Sequence, residues 1–190
     1  MKLICGIDEA GRGPLAGPVT AAAVILDEKN IIEGLNDSKK LSPKKRAALE
    51  TLIKKRALAY GVAEASHVEI DELNILNATL LAMQRAFDKM CAMLEQKGFD
   101  RADVCAIIDG TFCPKISVEC RAEPKADGNY PAVMAASILA KEDRDRRMCE
   151  FDRFYPDYGY AKHKGYPTKA HREICKKIGP SPIQRKTFSY

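Results

Sequence analysis

The chain has no tryptophan and only three histidines in 190 residues. No apolar run approaches the roughly 18 residues of a membrane-spanning helix. Internal repeats and low-complexity tracts are missing as well, which excludes solenoid and fibrous architectures. There are seven cysteines, an odd number, and none form a C-x-x-C pair. Cys105, Cys113 and Cys120 stand too far apart for a zinc knuckle, and the histidines do not complete one. A scaffold of fully paired disulfides is therefore excluded, and reduced thiols in a reducing compartment are expected. The apolar opening reaches Asp8-Glu9 too soon for a signal peptide. The expectation is a cytoplasmic chain with no membrane association.

What is present is ordinary in bulk and uneven in placement. Hydrophobic residues make up 46% and charged residues 30%, enough apolar surface for one self-sufficient domain. The net charge of +5 conceals two basic patches. Residues 38–56 carry Lys39, Lys40, Lys44, Lys45, Arg46, Lys54, Lys55 and Arg56 against Glu50 alone. Residues 161–190 carry Lys162, Lys164, Lys169, Arg172, Lys176, Lys177, Arg185 and Lys186 against Glu173 alone. The rest of the chain is net acidic. Basic patches on an acidic body suit a polyanion such as a phosphodiester backbone, and also suit plain solvated helix faces.

The hydrophobic pattern sketches the elements. Residues 2–8 read as a buried strand ending in acids, and 19–26 as a second strand, antiparallel to it across a Gly- and Pro-rich turn. Ser42-Pro43 opens a helix expected to run to about Tyr60, with a short strand over 61–65. Leu73, Leu76, Leu80, Met83, Phe87, Met90 and Leu94 recur at steps of three and four, one stripe of a long helix closed by Gly98. That stripe fits packing across a sheet; a coiled-coil dimer is the other reading, and a monomer is the default. Residues 104–109 form another strand ending in an acid, Ile116–Glu119 a short strand, and Pro131 starts a helix. A last basic helix spans about 168–178. Alternating strands and helices indicate an α/β domain with a mixed sheet.

Two strands ending in carboxylates, Asp8-Glu9 and Asp109, are the chemical signal. Sites in open α/β sheets form at the C-terminal strand ends. Acids at such positions cost desolvation unless they are paired or bind a metal. Asp127, just before a helix, can add a fourth oxygen donor or merely cap the helix. Hard carboxylates without histidine or cysteine suit Mg²⁺ or Mn²⁺. Two such ions form the usual clamp for in-line attack on a phosphodiester. Mutual repulsion should raise at least one carboxyl pKa. The glycines of Gly11-Arg12-Gly13 allow close backbone approach to a ligand, and the arginine supplies a planar fork for phosphate.

Six ordered blocks carry a resemblance across nearly the whole chain. They are Gly6-Ile7-Asp8-Glu9-Ala10-Gly11-Arg12-Gly13-Pro14-Leu15-Ala16-Gly17-Pro18-Val19, Asn36-Asp37-Ser38-Lys39-Lys40-Leu41, Ile108-Asp109-Gly110, Lys125-Ala126-Asp127, Ala135-Ala136-Ser137-Ile138-Leu139-Ala140-Lys141 and His163-Lys164-Gly165-Tyr166-Pro167-Thr168. Together they resemble the ribonuclease HII family. The resemblance implies a ribonuclease H-like fold, an α/β mixed five-stranded sheet flanked by helices with a small helical C-terminal region. It implies a catalytic domain over residues 1–150 and a basic region over 151–190 that completes a nucleic-acid groove. It further implies cleavage of the RNA strand of RNA–DNA hybrids, and incision 5′ of single ribonucleotides in duplex DNA, leaving a 3′-hydroxyl.

Carried over by motif, Asp8, Glu9, Asp109 and Asp127 would be the catalytic carboxylates holding two Mg²⁺ or Mn²⁺ ions. Gly11, Arg12 and Gly13 would contact the ribonucleotide's 2′-hydroxyl and nearby phosphates, and Tyr166 would stack on the sugar. Lys39, Ser137, Lys141 and Lys164 are the further expected nucleic-acid contacts. For Ser137, close packing is the competing role. Glu142-Asp143 and Gln184 depart from the family pattern, which usually has an apolar residue with threonine, and histidine. Two readings from other classes remain: a non-catalytic basic nucleic-acid binder, and an actin-like phosphotransferase, for which no second phosphate loop is visible.

Overall fold

The computed structural model describes residues 2–189. Met1 and Tyr190, the outer ends of the two expected segments, lie outside the described residues. Five strands, β1 (Leu3–Ala10), β2 (Val19–Ile25), β3 (Ala59–Ala65), β4 (Val104–Asp109) and β5 (Glu119–Glu123), form one sheet in the order β3-β2-β1-β4-β5. β1, β2 and β3 pair antiparallel; β1, β4 and β5 pair parallel. The mixed sheet read from the sequence is the sheet observed. Its helices are α1 (Pro43–Arg56), α2 (His67–Gln96), α3 (Pro131–Phe154), the single turn α4 (Tyr160–His163) and α5 (Lys169–Ile178).

Strand alternation divides the core into two layers. From β1 and β2, Cys5, Ile7, Val19, Ala21, Ala23 and Ile25 face α2, where Met83, Phe87, Met90 and Leu94 are buried against them. Ala22 and Val24 face the opposite way, against Leu49 and Ile53 of α1 and Ala135, Ile138 and Leu139 of α3. β2 is buried along its whole length because helices cover both its faces. The apolar stripe of α2 is thus used inside the domain, and only its first member, Leu73, is exposed. Leu73 lies before a break at Asn74, whose φ of 67° leaves the helical region. The Asn74 side chain then caps the following turn by accepting from the Asn77 amide.

Several elements differ from the sequence expectation: β1 runs on past its acids to Ala10, and β3 begins at Ala59 rather than at 61. α1 stops at Arg56 rather than near Tyr60, because the Leu58 amide bonds to Ile25 O and begins the β3 edge. The strand expected at Ile116–Glu119 lies instead at Glu119–Glu123. There Cys120 and Ala122 pack inward while Glu119, Arg121 and Glu123 point outward, so the charged alternate residues of an edge strand mask it. Asp127 sits inside a single 3₁₀ turn, Ala126–Gly128, rather than capping α3.

α3 approaches β1 at Gly6, where a Cβ would lie 2.2 Å from Ala132 C and Val133 N. These are backbone atoms at the start of a helix and cannot step aside. Gly6→Ala is therefore expected to destabilise the protein by roughly 3 kcal/mol, read as a lowered midpoint of urea unfolding.

Candidate active site

The parallel register of β1 and β4 builds the centre of the site. Ile7 stands opposite Ile108, so the next residues along the two strands are Asp8 and Asp109. Asp109 Oδ1 accepts from the Ala126 amide at 2.9 Å, which ties the turn carrying Asp127 to the end of β4. Lys125, at φ 66°, reverses the chain just before that turn. Asp8, Asp109 and Asp127 each bring a carboxylate oxygen to within 4.8 Å of the others.

Glu9 is placed differently. It stands outside the tight group of three but near enough for its charge to act on Asp8 and for Asp109 and Lys39 to act on it. Its Oε1 lies 3.5 Å from Arg12 Nη1, while Oε2 is buried with no hydrogen-bond partner. The expected four acids therefore form a trio with Glu9 beside it.

These positions set the electrostatics. Burial, and then the charges of Glu9, Asp109 and Asp127, hold the Asp8 carboxyl well above the usual carboxylate range. Among the described residues, its one compensating hydrogen bond comes from the Glu9 amide, at 2.7 Å. Burial also raises Glu9, with Arg12 opposing it. Asp127 is raised by burial and by its neighbours Asp109 and Asp37. Lys39 answers this negative charge. Burial opposes its ammonium, but Asp37, Asp8, Asp127 and Asp109 outweigh that and raise its pKa.

An open cleft of about 520 Å³ adjoins the trio, lined by Asp37, Lys39, Lys40, Asp109, Lys125, Asp127, Gly128 and Asn129. Asp37 was not singled out from the sequence, although it lies in the block that contains Lys39. Its side chain accepts from the Lys39 amide at 2.9 Å and shapes that turn.

The other expected contacts fall into separate groups. Gly11 is buried, and Arg12 and Gly13 are exposed. Tyr166 is 38% exposed, and a Cβ on Gly13 would lie 4.0 Å from its ring. Lys141 Nζ sits 5.7 Å from the centre of that ring and pairs with Asp145 at 2.8 Å. Lys164 Nζ folds back onto Ala161 O and Cys149 Sγ. Ser137 is 3% exposed; its hydroxyl donates to Met134 O and accepts from the Ser38 amide. In this conformation it braces the Lys39 turn instead of facing solvent.

Glu142 is likewise turned away from any cleft. It accepts from Arg46 at 2.7 Å, and Arg46 donates to Leu41 O, so the departure from the family pattern joins α3 to α1. Gln184 is buried and bridges Ala16 across an isolated antiparallel pair.

A carboxyl raised by burial and like charge costs native stability once it ionises. The cost is absent below the unfolded pKa, grows as pH rises above it, and is complete once pH passes the folded one. Asp8→Asn is therefore expected to raise the melting temperature of metal-free protein at pH 7 by about 2–4 °C, with the gain vanishing near pH 3. Calorimetry in chelator at both pH values reads this.

Comparison with known proteins follows the same lines. Residues 5–189 match the family Ribonuclease HII. A Ribonuclease HII of Dechloromonas aromatica is 54% identical over 186 residues, covering 98% of this chain and 90% of that one. Among solved structures, the ribonuclease HII of Archaeoglobus fulgidus in complex with PCNA superposes with a TM-score of 0.75 at 26% identity, covering 99% of this chain and 96% of that one. A ribonuclease HIII, Bst-RNase HIII in complex with Mn²⁺, shares the fold at 19% identity, with a TM-score of 0.74 and coverage of 99% and 67%. The chain belongs to the ribonuclease HII family of hydrolytic endonucleases.

Proposed function

We propose that this protein hydrolyses the RNA strand of RNA–DNA hybrids and incises duplex DNA on the 5′ side of a single embedded ribonucleotide. Water adds to the phosphorus and the P–O3′ bond breaks, leaving a 3′-hydroxyl and a 5′-phosphate. The observation that carries this reading is the trio formed by Asp8 and Asp109, on adjacent parallel strands, with Asp127 on the turn tied to β4.

The donor set fits divalent cations. It is all carboxylate oxygen, it holds a buried Glu9 oxygen without a partner, and its repulsion is uncompensated by histidine or cysteine. Asp8, Asp109 and Asp127 would hold the ions, with Glu9 completing the set. Bound Mg²⁺ or Mn²⁺, two ions in the active complex, would lower the pKa of the attacking water and neutralise charge on the leaving oxygen. Lys39 faces the same centre as a fixed cation and draws the phosphate in. Arg12 and Gly13, exposed, approach the backbone of the substrate closely, and Gly11, buried beneath them against Arg144, shapes the loop that presents them. Tyr166 offers a flat face to the sugar and a hydroxyl near its 2′ position, the one feature that distinguishes a lone ribonucleotide. Lys141 and Lys164 contribute phosphate contacts once released from their present partners.

Within the C-terminal region, Gly165, Ile183 and Arg185 hydrogen-bond the loop at residues 11–18, and we read the basic face of this region as one wall of the nucleic-acid groove. We take the protein to act as a cytoplasmic monomer; among the described residues no helix is long and apolar enough to cross a membrane.

A denaturing gel with three duplexes tests the activity: one embedded ribonucleotide, a continuous hybrid, and all DNA. Incision of the first two, only with Mg²⁺ or Mn²⁺, is the expected result; cutting of all-DNA duplex, or cutting in chelator, sinks the reading. Asp109→Asn is expected to lower the rate by about 100-fold or more, since it removes a charge shared by the whole centre. Binding should weaken steeply between about 50 and 200 mM salt as phosphate contacts are screened.

A further inference from the structure

Two arginines, Arg144 of α3 and Arg185 near the C-terminus, are fully buried at 0% exposure. Neither makes an ion pair among the described residues. A buried guanidinium without a carboxylate is uncommon, because its desolvation is left to hydrogen bonds alone. Here those bonds all go to main-chain carbonyls. Arg144 donates to Pro18 O at 3.0 Å, Lys164 O at 3.0 Å and Ala16 O at 3.2 Å. Arg185 donates to Gly17 O at 2.9 Å, Arg12 O at 2.9 Å, Gly11 O at 2.6 Å and Pro18 O at 3.2 Å. The two side chains grip one loop, residues 11–18, and the turn that precedes Tyr166.

The consequence follows from peptide geometry. In a planar trans peptide the C=O and the next N–H point in opposite directions. Carbonyls of Gly11 and Arg12 aimed down at Arg185 therefore turn the amides of Arg12 and Gly13 away from it. Those two residues are exposed, and neither amide makes a hydrogen bond among the described residues. Gly11 adopts φ +99°, and a Cβ there would lie 1.9 Å from Arg144 Nε, so only glycine admits the guanidinium. Arg144 also lies 5.8 Å from the centre of the Tyr166 ring. Asp71 holds the tail in place: its carboxylate accepts from the amides of Lys186 and Thr187 and from the Thr187 hydroxyl.

We propose that Arg144 and Arg185 are positioning residues that clamp the 11–18 loop by its carbonyls, so that the Arg12 and Gly13 amides and the Tyr166 ring meet the sugar-phosphate beside an embedded ribonucleotide. This rests on the reading given under Proposed function. The Asp8, Asp109 and Asp127 trio is built by β1, β4 and the Asp127 turn, independently of the clamp. Loosening the clamp therefore impairs recognition of the lone ribonucleotide more than it impairs cleavage.

The test compares kcat/KM on a duplex with one ribonucleotide and on a continuous RNA–DNA hybrid, at one Mn²⁺ concentration. Lysine keeps the charge but loses the fork. Arg185→Lys and Arg144→Lys are each expected to lower the ratio of single-ribonucleotide to hybrid cleavage by about tenfold, the scale of a small misplacement of substrate-orienting groups. Asp71→Ala, which releases the tail while leaving both buried arginines and their carbonyl partners in the chain, should move the ratio the same way by about threefold, and decides the matter if the arginine variants do not fold. A ratio unchanged in the folded variants, with both activities falling equally, overturns the proposal and leaves the arginines as packing. A wild-type protein that cuts neither substrate overturns the functional reading instead, so the two failures are distinct.

Discussion

The site depends on one pairing: β1 beside β4, parallel and in the register that sets Ile7 opposite Ile108. Everything chemical sits one step beyond that pair. Asp8 and Asp109 are forced together by main-chain pairing of the strands that carry them, not by any attraction between their side chains, and the Asp109 carboxylate then fixes the turn bearing Asp127. The sheet supplies the force that holds like charges in proximity; the side chains alone would separate. A slip of one residue would turn Asp8 to the other face of the sheet and dissolve the trio. The buried strands on either side make such a slip costly, since every apolar contact would be lost with it.

Much of this was legible in the sequence, and the reasons are physical. Apolar runs ending abruptly in acids marked both β1 and β4, because a buried strand can carry a charge only where it emerges. Ser42-Pro43 marked the start of α1, and the Met83, Phe87, Met90 and Leu94 stripe marked the buried face of α2. Legibility failed where the signal is not periodic. β5 hides behind alternating charges at a sheet edge. The break at Asn74 arises from one residue in a positive-φ conformation, which leaves the flanking pattern intact.

The site was legible in its residues and less so in its geometry. Asp8 and Glu9 are neighbours in sequence, yet only Asp8 joins the tight group while Glu9 stands beside it against Arg12. Ser137 and Glu142 show the complementary limit. Both lie in motif-like surroundings, yet their partners, Ser38 and Arg46, are about 100 residues away in the chain. No local pattern announces such a partner; it emerges only when two helices are brought against the same sheet. The buried arginines were hidden for the same reason, since a cation satisfied by carbonyls has no matching acid to find.

Helix α3 connects these parts as a rigid ruler. Its first turn abuts Gly6, and beyond it Ser137, Lys141, Arg144 and Met148 follow at steps of four, three and four, along one side. They meet in succession the Ser38 turn, the Tyr166 ring, the carbonyls of the glycine-rich loop, and Gly17 with Gly165. Each residue of a helix advances about 1.5 Å and rotates about 100°. One inserted residue would swing every later partner a quarter-turn off its target while leaving the helix itself sound. The length and phase of this single rod are therefore as constrained as any carboxylate, although nothing about its own stability requires it.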